Sequence, residues 1–185
     1  LNDYQVVIVG VDEPMVKQWI DEQEIVAINP NKQTDARTLA AKIGLIKAIK
    51  DYNLKRVISF HSRVKGAKEF SEELLDVVDL TNPVHRPKGV FLADYVSGKM
   101  KAGDRKDKID RLKLLDNFDI GILSNSRCLA EGLDVPSLDG VAFIDPKGSQ
   151  IEIIQAVGRA IRKVREVKVQ TKGTIVIPVF IEEGD

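Results

Sequence analysis

The amino-acid sequence predicts an α/β fold, a mostly parallel sheet covered by helices. Two observations lead there. Short apolar runs rich in β-branched residues recur along the chain, and stretches of helical spacing lie between them. The runs are apolar at consecutive positions, hence on both faces of a strand, which marks strands buried between two layers. Strand and helix in alternation place helices over a parallel sheet.

In order, the runs are VVIV (6–9), IVAI (25–28), VISF (57–60), VFLA (90–93), IGIL (120–123), VAFI (141–144) and TIVIPVFI (174–181). The first is expected to be the weakest member of the sheet, because it lies at the very start of the chain. Between the runs, 35–51 carries Leu39, Ile43, Ile46 and Ile49 at helical spacing. Residues 64–78 carry Val64, Ala67, Phe70, Leu74 and Val77, and residues 105–116 carry Ile109, Leu112 and Leu115. TNPVHRPKG (81–89), with its prolines and glycine, reads as a turn between a helix and a strand. Ser149 followed by Glu152 is a capping box, so a further helix is expected to start at Ser149.

With 185 residues the chain suits one domain. Its 28 Lys and Arg balance 28 Asp and Glu, so any basic surface must be local. The single cysteine, Cys128, cannot form an internal disulfide, and nothing suggests secretion; a cytoplasmic protein is expected. No apolar run reaches the length of a membrane span. The chain opens on Leu1 rather than methionine, and a fragment of something longer is expected.

Ligands of an open parallel sheet meet the loops at the carboxyl ends of its strands. Here those are HSR (61–63), DYVSGK (94–99), SNSRCLAEGLD (124–134) and DPKGS (145–149), mostly rich in hydroxyls, glycine or basic residues. On the helix from Ser149, residues Gln155, Gly158, Arg159 and Arg162 share one stripe. A glycine inside a helix costs roughly 1 kcal/mol against alanine, so it asks for a reason, and close approach of another surface is one. Guanidinium forks match phosphate oxygens. On spacing alone a solvated basic face explains the stripe as well.

Three segments taken together resemble motifs IV, V and VI of superfamily 2 helicases, which lie in the second RecA-like lobe. They are VISFHSRVKGAKEF (57–70), ILSNSRCLAEGLDVPSLDGVAFIDP (122–146) and QAVGRAIRK (155–163). YVSGKMKAGDRKDKIDRL (95–112) resembles the segment between IV and V. The wording of 126–163 is closest to helicases of restriction–modification systems. The resemblance implies a three-layer RecA-like domain with helices on both faces of the sheet. It spans 1–185 as one lobe, with a motif-bearing core over 55–182 and a less sharply defined part over 1–54. Arg159 and Arg162 match arginine fingers that reach a γ-phosphate, and Gln155 the position coupling nucleotide to nucleic acid. Gly132 and Asp134 match the end of motif V, beside the nucleotide. His61, Ser62 and Arg63, then Ser97 and Gly98, then Ser124, Asn125 and Ser126 match elements on the nucleic-acid side. The implied cofactors are ATP and Mg²⁺, held mainly by a preceding lobe of the same protein. The implied partner is DNA, with RNA not excluded.

Two departures favour the DNA side of the superfamily. The first position of motif VI is Gln155 rather than histidine, and Glu131 stands where the DEAD-box group has arginine. No phosphate-cradling G-x-x-x-x-G-K-[ST] occurs in these residues, so the chain alone is expected not to hydrolyse ATP. Asp12, Glu13 and Asp145 read as strand-end or turn residues. His61 and His85 belong to no Cys/His cluster of metal-ligand spacing, and no metal is expected. Cys128 and Trp19 read as packing residues, and the basic run 99–113, interleaved with aspartates, as a solvated helix face whose start could lie near DNA. Two rivals stand beside the helicase lobe. One is a non-catalytic RecA-like module that binds nucleic acid or protein. The other is a free-standing nucleotide-binding α/β protein, disfavoured by the lack of a glycine-rich first loop.

Overall fold

The computed structural model describes residues 4–12, 14, 16, 36–81, 83–116, 118–126, 138–144 and 173–181. In chain order these give β1 (Tyr4–Asp12), α1 (Ala36–Asp51), β2 (Arg56–Phe60), α2 (Val64–Leu80), β3 (Phe91–Ser97), α3 (Ala102–Lys113), β4 (Ile120–Ser126), β5 (Gly140–Phe143) and β6 (Gly173–Ile181). The strands form one six-stranded sheet in the order β1-β6-β5-β2-β4-β3. Every pairing in it is parallel.

Adjacent residues of each strand face opposite layers, as the period of two requires. Val57, Ile122, Ala142 and Val176 meet Leu45, Ile46 and Ile49 of α1 and Phe70, Leu74 and Val77 of α2. Their neighbours Ile58, Leu123, Val141 and Ile175 face the other way, toward Leu112 of α3. The three-layer arrangement is therefore present, with α1 and α2 on one face and α3 on the other. Full burial of each large aliphatic or aromatic side chain contributes roughly 1.5–3 kcal/mol, so these two clusters carry the fold.

Some expectations shift. The apolar run at 6–9 is a full member of the sheet, pairing with β6 from Tyr4↔Gly173 to Asp12↔Ile181. That partnership joins the two ends of the chain, so nothing local in the sequence reveals it. Asp12 closes β1, as a strand-end residue should. The third helix runs three residues earlier than its apolar spacing indicates, over Ala102–Lys113, because Leu114 already caps it through its N–H to Asp110 O. Leu115 lies past the helix end, where its side chain fills the space beside Gly121. The run at 25–28 and the helix expected from Ser149 lie outside the described residues.

The amino-terminal edge of the sheet is held by one carboxylate. Asp139 accepts hydrogen bonds from Lys55 N–H (2.9 Å) and Arg56 N–H (2.8 Å). Arg56 then donates from Nε to Leu112 O (3.0 Å) and from Nη2 to Leu115 O (2.6 Å), securing the end of α3. Burial pushes the Asp139 carboxyl above its ordinary value of 3.8, and the backbone N–H bonds and Arg56 pull it only partly back. At the same edge Gly89 has φ of 120°, and a Cβ there would stand 2.1 Å from the Phe118 carbonyl oxygen. Around this turn Val84, Val90, Leu92, Leu114 and Phe118 are exposed.

Gly89→Ala should destabilise the domain by at least about 2 kcal/mol in urea unfolding, since both the backbone conformation and the space forbid a side chain. The Asp139 shift has a definite sign. The folded state holds that proton more tightly than the unfolded state. Its contribution is therefore complete below the unfolded value and is lost as pH rises through the folded one. Asp139→Asn should remove this component: the stability difference between the two proteins, from thermal unfolding across mildly acidic pH, should slope where the wild type titrates.

Candidate nucleic-acid interface

Three neighbouring strands deliver the site. In the order β2-β4-β3, parallel pairing aligns their carboxyl ends on one edge. Ser59 stands opposite Ser124, Phe60 opposite Asn125, and Ser97 opposite Ser126. His61 prolongs the ladder by one step, donating its N–H to Asn125 O at 2.9 Å. Ser124, Asn125, Ser126 and Ser97 are thus strand residues, where the sequence suggested loops. Their polarity hides a ladder that backbone groups make irrespective of side chain.

The segments His61–Ser62–Arg63, Ser97–Gly98 and Ser124–Asn125–Ser126 come together, but their side chains divide into two sets. Ser124, Asn125 and Ser126 are at most 2% exposed, Ser97 is 3% and His61 7%. Arg63 and Gly98 are exposed and Ser62 is half-buried. Ser59 Oγ donates to Ser124 Oγ at 3.0 Å and lies 2.9 Å from His61 Nε2. The His61 ring packs at a tilt on Phe70 of α2, with centroids 4.8 Å apart. Ser126 Oγ is buried with no hydrogen-bond partner among the described residues.

The surface around these residues is basic. Arg63 is the N-cap of α2 in an extended conformation and makes no side-chain capping bond, and the first turn of that helix carries no acid. Lys99 and Lys101 are exposed between β3 and α3, with Lys101 the N-cap of α3. Arg105 Nη1 reaches Gly98 O at 3.5 Å. Two helix starts, with N–H groups directed outward and cations beside them, suit an anionic backbone. On α3 the basic run is mostly solvated as expected, except that Lys108 is bound to Asp94 (2.7 Å) and lies over the Tyr95 ring. Of Ser59, Lys99 and Lys101, only the first was not evident as a site residue, since the two lysines open the basic run whose start could lie near DNA. A hydroxyl inside the apolar run VISF was the available signal for the first.

Gln155, Arg159 and Arg162, with Gly132 and Asp134, lie outside the described residues. Among the described residues no group of three His, Cys, Asp or Glu side chains is placed to hold a metal ion, and no helix is long and apolar enough to cross a membrane.

The model of the helicase conserved C-terminal domain matches residues 41–164. The chain belongs to that family. It is the C-terminal, RecA-like lobe of a superfamily 2 helicase. Among solved structures, the ATP-dependent type ISP restriction–modification enzyme LlaBIII bound to DNA superposes on the helicase lobe with a TM-score of 0.77 and 27% identity, covering 100% of this chain and 12% of that enzyme. The Mss116p DEAD-box helicase domain 2 bound to an RNA duplex shares the fold, with a TM-score of 0.55 and 20% identity, covering 97% of this chain and 54% of that one. "Putative helicase 22" of Sulfolobus islandicus filamentous virus (isolate Iceland/Hveragerdi) is 31% identical over 118 residues, which is 64% of this chain and 18% of that protein. The lobe thus spans under a fifth of LlaBIII and of the viral protein, 12% and 18% respectively.

The two buried serines of β4 should respond differently to truncation. Ser124→Ala removes the acceptor of the Ser59 hydroxyl and should cost about 1 kcal/mol in denaturant unfolding. Ser126→Ala removes a buried hydroxyl with no described partner and should leave stability within about 0.5 kcal/mol or raise it.

Proposed function

We propose that this chain is the second motor lobe of an ATP-dependent DNA translocase or helicase. The observation that carries the proposal is the gathering of Arg63, Gly98, Lys99 and Lys101 at the carboxyl edge of β2, β4 and β3, in a chain of helicase family. Nucleic acid would run across that edge. Arg63 and the lysines would bind backbone phosphates, and the loop N–H groups at Ser62 and Gly98 would add contacts that read no bases. Ser97, Ser124, Asn125 and Ser126 are too buried to be reached in this arrangement unless the edge opens, so they would chiefly shape it. DNA is favoured over RNA by Gln155, by Glu131 and by the likeness to a restriction–modification enzyme bound to DNA.

The nucleotide side rests on the resemblance. Arg159 and Arg162 would project from one helix stripe toward a nucleotide held mainly by a preceding lobe, with Asp134 able to orient a guanidinium and Gly132 allowing close approach. Paired guanidiniums suit that role because charge spreads over the transferred phosphoryl in the transition state. ATP with Mg²⁺, when bound, supplies the hydrolysis that drives movement. Gln155, on the same stripe, would link the two sides, and closure of the cleft between lobes would turn one into motion along the other.

In the full-length protein, Arg159→Ala and Arg162→Ala should each lower ATP turnover by roughly a thousandfold or more while nucleotide affinity changes little. Wild-type turnover in both variants would sink the arginine-finger assignment. Binding of this chain to DNA should be weak and fall steeply with salt. Arg63→Ala should reduce the slope of log affinity against log salt by about 0.7–0.9, as loss of one phosphate contact requires.

A further inference from the structure

The interior of a parallel sheet favours Val and Ile, yet β2 and β4 place serines opposite one another at positions 59 and 124, both 0% exposed. Buried hydroxyls cost stability unless they are hydrogen-bonded, and networks of them impose one geometry. Here the bonds close a short chain. Ser59 donates to Ser124 Oγ, which leaves its oxygen to accept from His61 in the Nε2–H tautomer. His61 also bonds through its main-chain N–H to Asn125 O. The imidazole cannot swing away, because Phe70 stands against it. Behind Phe70, the ammonium of Lys42 from α1 lies 5.9 Å from the ring centroid and forms an ion pair with Glu73 of α2. Lys42 is itself 1% exposed. The carboxyl end of β2, the carboxyl end of β4 and both helices of that face are thereby tied at one point.

We propose that Ser59, His61 and Ser124 form a buried clamp that holds the segments 61–63 and 124–126 in one frame, so that DNA gripped at Arg63 is felt at the carboxyl end of β4. Ser59 and His61 are positioning residues in this scheme, and neither touches DNA. The proposal rests on the helicase reading above and adds to it how one strand-end segment informs the other.

The test uses the full-length protein, with a linear DNA duplex as probe and ATP turnover as readout. Ser59→Ala should lower the ratio of DNA-stimulated to unstimulated turnover about tenfold at saturating DNA. The salt slope of DNA binding should stay at the wild-type value, because no phosphate contact is lost. Ser59→Ala combined with Ser124→Ala should fall no further than Ser59→Ala alone, since the Ser59 hydroxyl makes the link that Ser124 accepts. His61→Leu should behave like Ser59→Ala, whereas His61→Gln, which keeps a side-chain N–H within reach of Ser59, should restore most of the stimulation. These two variants conserve buried volume, so they report on the clamp even if Ser59→Ala folds poorly. Unchanged stimulation in Ser59→Ala and His61→Leu overturns the clamp alone, as do fully additive losses in the double variant. A wild-type protein whose turnover ignores DNA overturns the clamp and the helicase reading together.

Discussion

Parallel pairing between β2 and β4 decides where every polar group of the interface can sit. Because both strands run the same way, their carboxyl ends emerge side by side, and β3 joins them in the same sense. Backbone register then sets Ser59 against Ser124 and Phe60 against Asn125 without regard to side-chain chemistry. A slip of one residue would move each of these side chains to the opposite layer. It would separate the serines, turn His61 away from Phe70 and break the amide bridge to Asn125.

The two ends of the sheet are built on different chemistry. At the amino end, a single aspartate gathers backbone N–H groups while an arginine on the same strand binds the carbonyls that close α3. Those bonds are all to main chain, which suits an end that only has to stay shut. At the carboxyl end a buried bond joins side chains of two strands, Ser59 to Ser124, and the cations sit outside it. On the function proposed above, stability and recognition are thus separated along the length of the same strands.

Much of this was legible beforehand because the physics is periodic. Consecutive apolar residues at 57–60 and 120–123, with Ile175 and Val176, marked two-sided burial, and Ala67, Phe70, Leu74 and Val77 marked the inner stripe of α2; all are placed as their spacing requires. Two kinds of information were not periodic. Pairing of β1 with β6 depends on residues at opposite ends of the chain. The inward course of Ser124, Asn125 and Ser126 depends on neighbouring strands, and composition made them look like loop. For the same reason Ser59 was hidden: a lone hydroxyl in an apolar run has no meaning until the strand beside it supplies another. The helicase resemblance named segments that the sheet brings to one edge, but not which of their side chains face inward.

The outermost described strand on the interface side, β3, has a neighbour on one flank only, and Leu92 and Val90 lie near its exposed start. Such a border can recruit a stray strand from another molecule. Asp94, midway along it, is ion-paired with Lys108 of α3, so a charged pair interrupts the apolar stretch. The basic helix that reads as mere solvated surface therefore also fastens a charge to this border, one of the two, with β1, at which the described sheet ends.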